Sequence, residues 1–321
     1  MPPHLRLDPL NHAYSTISKM NTNICHDRVC IVTGAGGGIG RQHALVLAEQ
    51  GAAVVVNDVG ATLDGAGGST GAAQAVVDEI VAAGGRAVAN TSDISSWQGA
   101  QEVVNQAVET FGDLHVLINN AGILRDRVLV NMTEDDWDSV IRVHLKGAFS
   151  CSRWAATYWR ERTKGGHTND ARIINTTSGS GLFGTAGQAN YGAAKAGLAG
   201  LTIIAAMELE RYGVTVNAIS PIALTRMTEG LALTGGDEAE QAKVDPRWVA
   251  VLTSWLASPQ SAGVTGRIFQ VSGRLWAVAQ GWHRGPSAEP VDDPAEVDAL
   301  MRGLLAEALP NAGPGGIYPT S

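Results

Sequence analysis

The stretch "RVCIVTGAGGGIGRQHALVLAEQG", residues 28–51, constrains this chain more than any other. A short β-branched run ends in a glycine-rich turn that opens directly into a helical pattern. Such a unit belongs to a parallel sheet, where a crossover must carry the chain back before the next strand can lie beside the first. The alternation continues: "AAVVVND", "GRAVANTSD", "LHVLINNAG", "ARIINTTS", "VTVNAISP" and "RIFQVSG" read as buried strands. Amphipathic segments near residues 40–50, 71–83, 96–110, 133–160 and 191–212 lie between them. Continuous apolar strands separated by helices predict an α/β fold, one doubly wound parallel sheet of about seven strands with helices on both faces.

The sheet accounts for residues 25–282 as a single catalytic domain. Residues 1–24 have neither the apolar centre of a signal peptide nor a clear periodicity, and read as a flexible N-terminal extension. Residues 283–321 hold one helical pattern, "DDPAEVDALMRGLLAEAL", before a Pro/Gly-rich end, and read as an accessory or interface tail. With 23 basic against 31 acidic residues, the formal charge of -8 argues against nucleic-acid or anionic-membrane partners. Apolar stretches such as 198–209 are soon interrupted by charge or glycine, so no bilayer-crossing segment is expected. Cys25, Cys30 and Cys151 show no metal-ligand spacing and no even set. A reduced, cytoplasmic protein without a metal is therefore expected.

The turn after the first strand brings Gly34, Gly38, Ile39 and Gly40 to the start of a helix. Glycines keep side chains away from that backbone, and a helix N-terminus approached so closely can hold a pyrophosphate. The second strand ends at Asp58, close to the spacing from which an acid reaches an adenosine ribose. A carboxylate there accepts bonds from the ribose hydroxyls and repels a 2′-phosphate, which favours NAD over NADP. The competing reading of Asp58 is a residue that closes the strand-end turn.

In "GQANYGAAKAG", Tyr191 precedes Lys195 by four residues, so both lie on one helix face. An unperturbed phenol, with a pKa of about 10, is a poor base at neutral pH. A lysine one turn away, together with an oxidised nicotinamide, is expected to favour the phenolate and bring it nearer the working range. A surface Tyr/Lys contact is the alternative.

Together, "TGAGGGIG", "NNAG" at 119–122, Ser178 and "YGAAK" resemble the short-chain dehydrogenase/reductase pattern from about residue 28 to about 275. "VVVNDVG", "GGRAVAN", "NNAGILRDR", "RVHLKGAF", "GQANYGAAKAGL" and "TRMT" are similar to one branch, the (3R)-hydroxyacyl-CoA dehydrogenase units of peroxisomal multifunctional enzymes type 2. The resemblance implies a Rossmann-type domain, a homodimer or homotetramer, and NAD-dependent oxidation of a secondary alcohol, foremost a (3R)-3-hydroxyacyl-CoA to its 3-oxoacyl thioester. A hydroxysteroid dehydrogenase and a non-catalytic dinucleotide sensor are the alternatives. It further implies that Ser178, Tyr191 and Lys195 are catalytic, that Asn120, Ala121, Gly122, Tyr191 and Lys195 approach the cofactor, and that Asp93 holds adenine, where an N-cap is the other reading. His144 stands where most members carry a relay asparagine, as in the multifunctional-enzyme branch, and reads either as a relay group or as a structural histidine. Ile222 replaces the glycine usual after the sixth strand, leaving Thr225 as the local hydroxyl for the nicotinamide carboxamide or as a helix cap. Arg125, Arg127 and Lys146 are candidate cations for CoA phosphates, or ordinary surface charges; residues 222–234 resemble a substrate lid.

Overall fold

The computed structural model describes residues 23–62, 71–223, 242–281, 283–313 and 316–318. Its sheet has the order β3-β2-β1-β4-β5-β6-β7-β8. The strands are β1 (Val29–Thr33), β2 (Ala53–Asn57), β3 (Arg86–Asn90), β4 (Val116–Asn119), β5 (Ala171–Thr176), β6 (Val214–Pro221), β7 (Ile268–Val271) and β8 (Trp276–Ala279). The first seven are parallel, as the sequence predicts. The eighth is an addition: β8 turns back on β7 antiparallel, pairing Val271 with Trp276 and Ile268 with Ala279. Ser272 closes that hairpin, its Oγ accepting from the N–H groups of Arg274 and Leu275, both at 3.1 Å.

The strands alternate between two cores. Cys30, Val32, Val54, Val56, Val116, Ile118 and Ile174 face one layer; Val29, Ile31, Ala53, Val55, Leu117 and Ile173 face the other. The first layer is covered by α1 (Gly38–Glu49), α2 (Gly71–Ala82) and α8 (Arg247–Ala257), through Leu47, Val76, Ile80, Leu252 and Leu256. The second is covered by α3 (Trp97–Phe111), α5 (Gly147–Lys164) and α7 (Ala189–Leu209), through Val103, Cys151, Trp159 and Ala206. Each fully buried aliphatic side chain contributes roughly 1.5–3 kcal/mol relative to exposure. The three cysteines are free and buried.

The segment expected as one amphipathic helix over 133–160 is two. Thr133 and Asp136 form a capping box that starts α4 (Glu134–Ile141). A π-helical turn, Arg142–Lys146, then widens the backbone before α5. The packed body starts at the edge of the described residues. Cys25 is buried, its N–H bonded to Gln50 O at 3.0 Å and its thiol to Ser254 O at 3.3 Å, so the packed body already includes it and Ile24 beside it. In the tail, the last helix is α9 (Val297–Glu307), which buries no residue; farther on, Gly316 lies so close to the Phe183 ring that a Cβ there would stand 2.8 Å from it.

Among the described residues one helical stretch, Ala189–Tyr212, is long and apolar enough to cross a membrane by length and composition, against the expectation of none. It packs on β5, β6, α4 and α6 (Gly179–Phe183) through Asn190, Ala194, Lys195, Leu198, Thr202 and Ala206. Its hydropathy is therefore partly that of a core helix.

Candidate active site

The carboxyl ends of β1, β4 and β5 meet where the strand order reverses, which is where open α/β sheets bind ligands. Thr33, the last residue of β1, fuses two of these ends. Its Oγ accepts from Asn120 N at 3.0 Å and Ala121 N at 3.1 Å and donates to Ile118 O at 3.3 Å. Asn120 returns its amide to the carbonyls of Thr33 and Gly34, at 3.0 and 3.1 Å. Gly34 adopts φ 64°, and a Cβ there would lie 2.7 Å from Ala121 Cα; only glycine fits this approach. A side chain at Gly40 would strike the Gly34 carbonyl.

Helix α1 has Gly37 at its N-cap, so no side chain caps it, and no acid lies in its first turn. Its leading N–H groups are thus placed to receive an anion. Asp58 closes the other side: Oδ2 accepts from Gly36 N at 2.8 Å and Oδ1 from Gly60 N at 2.6 Å. The acid shapes the loop and stands beside it, which meets the turn-closing reading of the residue. A cradle that a Cβ would fill, an uncapped helix start and an adjacent carboxylate fit an adenine dinucleotide. Ile39 packs from α1 against the core. Asp93 is exposed and forms a local turn, its two oxygens accepting from Ser95 N and Ser95 Oγ, both at 2.9 Å. The cap of α3 is Ser96, which accepts from Gly99 N, and not Asp93.

On the far side of the crevice Ser178 caps α6, accepting from Ser180 N at 3.2 Å. Tyr191 and Lys195 occupy successive turns of α7, with the ammonium 5.4 Å from the phenol ring centre. Lys195 is 3% exposed and donates to Thr176 O at 2.6 Å; burial drops its pKa to about 7. Burial raises the Tyr191 pKa, a hydrogen bond with Ser178 pulls it down, and the Asp126 carboxylate adds a smaller upward push. The expectation that Lys195 brings the phenol toward neutrality is thus not met by the chain alone. The ammonium is itself dehydrated and directed at a carbonyl.

His144 is 2% exposed on the π-helical turn. Its Nε2 lies 3.0 Å from Ile123 N and 2.8 Å from Ile123 O, and its ring meets Tyr191 edge-on at 5.2 Å. Gly122 abuts the imidazole with no room for a side chain. Burial, then the Lys195 charge, hold its pKa well below the usual range, so the ring is neutral; Nδ1 has no protein partner.

Beneath these groups lie polar residues that sequence reasoning did not single out. Asn119 donates to Ser152 Oγ and Asn175 Oδ1, at 3.0 and 2.8 Å, and Asn175 donates to Thr202 at 2.9 Å. Asn190, fully buried, donates to the carbonyls of Arg125 and Asp136, both at 2.9 Å, and accepts from Tyr191 N. A polar residue repeating on the buried face of α7 was the available signal. Of the candidate phosphate cations, Arg125 pairs with Asp135 at 2.8 Å, Arg127 donates to Asp126 O at 3.0 Å, and Lys146 is exposed. Ile222 is half-exposed and its N–H pairs with Val271 O; Thr225 and most of the expected lid fall in residues 224–241, outside the described residues.

Fold and site together define a dinucleotide-linked oxidoreductase. Residues 28–234 match the family described as short chain dehydrogenase, and the chain belongs to that family, whose members use NAD(P) and act on CH–OH groups. It is 44% identical over 298 residues to the hydroxyacyl-CoA dehydrogenase ChsB1 of Mycobacterium tuberculosis, covering 89% of this chain and 91% of that protein. It is also 44% identical to a peroxisomal hydratase-dehydrogenase-epimerase of Neurospora crassa, over 77% of this chain but 26% of that much longer protein. A crystal structure of a short chain dehydrogenase from Mycobacterium avium superposes with a TM-score of 0.81 at 49% identity, covering 92% of this chain and all of that one.

Proposed function

We propose that the protein is an NAD-dependent dehydrogenase that oxidises a (3R)-3-hydroxyacyl-CoA to the 3-oxoacyl thioester. The observation that carries the reading is the convergence of Ser178, Tyr191 and Lys195 across one crevice from the glycine loop and Asp58. The names of the relatives supply the substrate class. The α1 N-terminus, Asn120, Ala121, Gly122 and Asp58 would hold the dinucleotide. When bound, oxidised NAD supplies a hydride acceptor and a positive charge beside the phenol. Ser178 donates a hydrogen bond to the substrate oxygen, and Tyr191 takes the hydroxyl proton. Lys195, titrating near neutrality, exchanges protons next to it. Neutral His144 wedges between Gly122 and Tyr191 and fixes the ring's orientation.

The test is NADH formation with matched (3R)- and (3S)-3-hydroxyacyl-CoA substrates of several chain lengths beside a steroid-alcohol panel. Selective turnover of the (3R) thioesters supports the reading; preferred turnover of steroids replaces its substrate while keeping the site. We further propose a homo-oligomer. Phe149 of α5 and Ile203, Ile204 and Met207 of α7 are exposed large apolar side chains on adjoining helices, as on a subunit contact.

A further inference from the structure

Gln188 occupies the N-cap position of α7, yet its side chain caps nothing. The amide runs sideways instead. Oε1 accepts from Ser180 Oγ at 2.6 Å, and Nε2 donates to Asp126 Oδ2 at 2.7 Å. The Gln188 backbone also makes an isolated parallel bridge with Arg127. One residue therefore ties the loop after β4 to the turn between α6 and α7, the two segments that flank Tyr191.

The consequence falls on Ser178. Helix α6 has five residues, too few to hold its own geometry in water, so its first turn takes its shape from outside contacts. Ser180 lies in that turn and donates its backbone N–H to Ser178 Oγ at 3.2 Å. A hydroxyl that accepts there keeps its own proton to donate to the substrate oxygen, and without substrate Ser178 pulls the Tyr191 pKa down. Groups facing Tyr191 come from every neighbouring element: Ser178 from α6, His144 from the π-helical turn, Lys195 from α7 and Asp126 from the loop after β4.

We propose that Gln188, braced by Asp126, is a positioning residue that fixes Ser180 and through it sets the direction of the Ser178 hydroxyl beside Tyr191. The assignment rests on the dehydrogenase reading of this site. The test uses the full chain with Gln188→Met, which keeps the length and removes both bonds, Gln188→Glu, which sets two carboxylates together, and Gln188→Glu with Asp126→Asn, which restores an amide–carboxylate pair. kcat, KM, the NADH dissociation constant and the melting temperature are measured for each. Tyr191 ionisation is followed by NMR of ¹³C-labelled tyrosine, assigned with Tyr191→Phe.

Misaiming one catalytic contact costs on the order of tenfold to a hundredfold. Gln188→Met and Gln188→Glu are therefore expected to lower kcat by at least about tenfold, with NADH binding within about twofold of wild type. Tyr191 in Gln188→Met ionises at higher pH, because it loses the Ser178 bond, and the double variant recovers most of kcat. A wild-type kcat and titration in Gln188→Met would overturn the proposal. So would a kcat loss matched by lost NADH binding, or a double variant no better than Gln188→Glu. If wild type turns over no hydroxyacyl thioester, the substrate reading fails, while the Tyr191 titration still decides the role of Gln188.

Discussion

Lys195 lies under Tyr191 stripped of water, and its ammonium is directed at the Thr176 carbonyl rather than the phenol. The four-residue spacing made the pair legible in the sequence, because helix geometry alone puts both on one face. Their protonation was not legible, because it depends on burial, a property of the packed site. Asp58 shows the same division. Its place after β2 marked it as a ribose acid, but its bonds to Gly36 and Gly60 come from loop folding that no spacing encodes. Asp58→Asn keeps one acceptor and removes the charge that repels a 2′-phosphate. The kcat/KM preference for NAD over NADP should narrow by about tenfold, or 1.4 kcal/mol, and an unchanged ratio would remove Asp58 from the specificity argument. His43, fully buried on α1 with neither ring nitrogen bonded, went unnoticed in the sequence. Burial lowers its pKa from 6.5 to about 3. The unfolded chain therefore binds a proton that the folded one refuses, and stability present above the unfolded value is lost as pH falls from 6.5 toward 3. Each unit is about 1.4 kcal/mol. Urea unfolding of His43→Leu between about pH 7 and about pH 4.5 should show a loss smaller than wild type by about 2–3 kcal/mol.

At the scale of elements, the π-helical turn is what carries His144 into the gap at Gly122. An amphipathic period runs through 133–160 without a visible break, because a widened turn changes backbone pairing more than residue type. Helix α8 was missed for a related reason. Val249, Ala250, Leu252, Thr253, Ser254, Leu256 and Ala257 are all buried, so it shows no polar face to reveal its period. Strand β8 was missed because "WAVA" is four residues at a sheet edge with alternating exposure. Gly122→Ala drives a methyl into the imidazole, and overpacking of this kind costs about 1–3 kcal/mol. Denaturation and kcat should both fall for Gly122→Ala and recover in stability, but not fully in kcat, when His144→Ala opens the space. Equal behaviour of the single and double variants would show that the wedge is not the constraint.

For the whole molecule, the parallel sheet and its two cores follow from the alternation of apolar runs, since each buried strand needs cover on two faces, whereas the strand order came only from the structure. Assembly is written less clearly, because an apolar residue that faces a partner reads like one that faces the core. Of the proposed contact residues, Met207 is the most exposed at 75%. Light scattering after size exclusion should give a multiple of the chain mass for wild type and a smaller particle for Ile204→Glu with Met207→Glu. A monomeric wild type would refute the contact. The most direct test of the account as a whole compares wild type with Tyr191→Phe, measuring NADH formation from a (3R)-3-hydroxyacyl-CoA and NAD binding on the same preparations. The account predicts a loss of turnover of about a hundredfold or more with NAD affinity preserved. Turnover retained by the phenylalanine variant would contradict it.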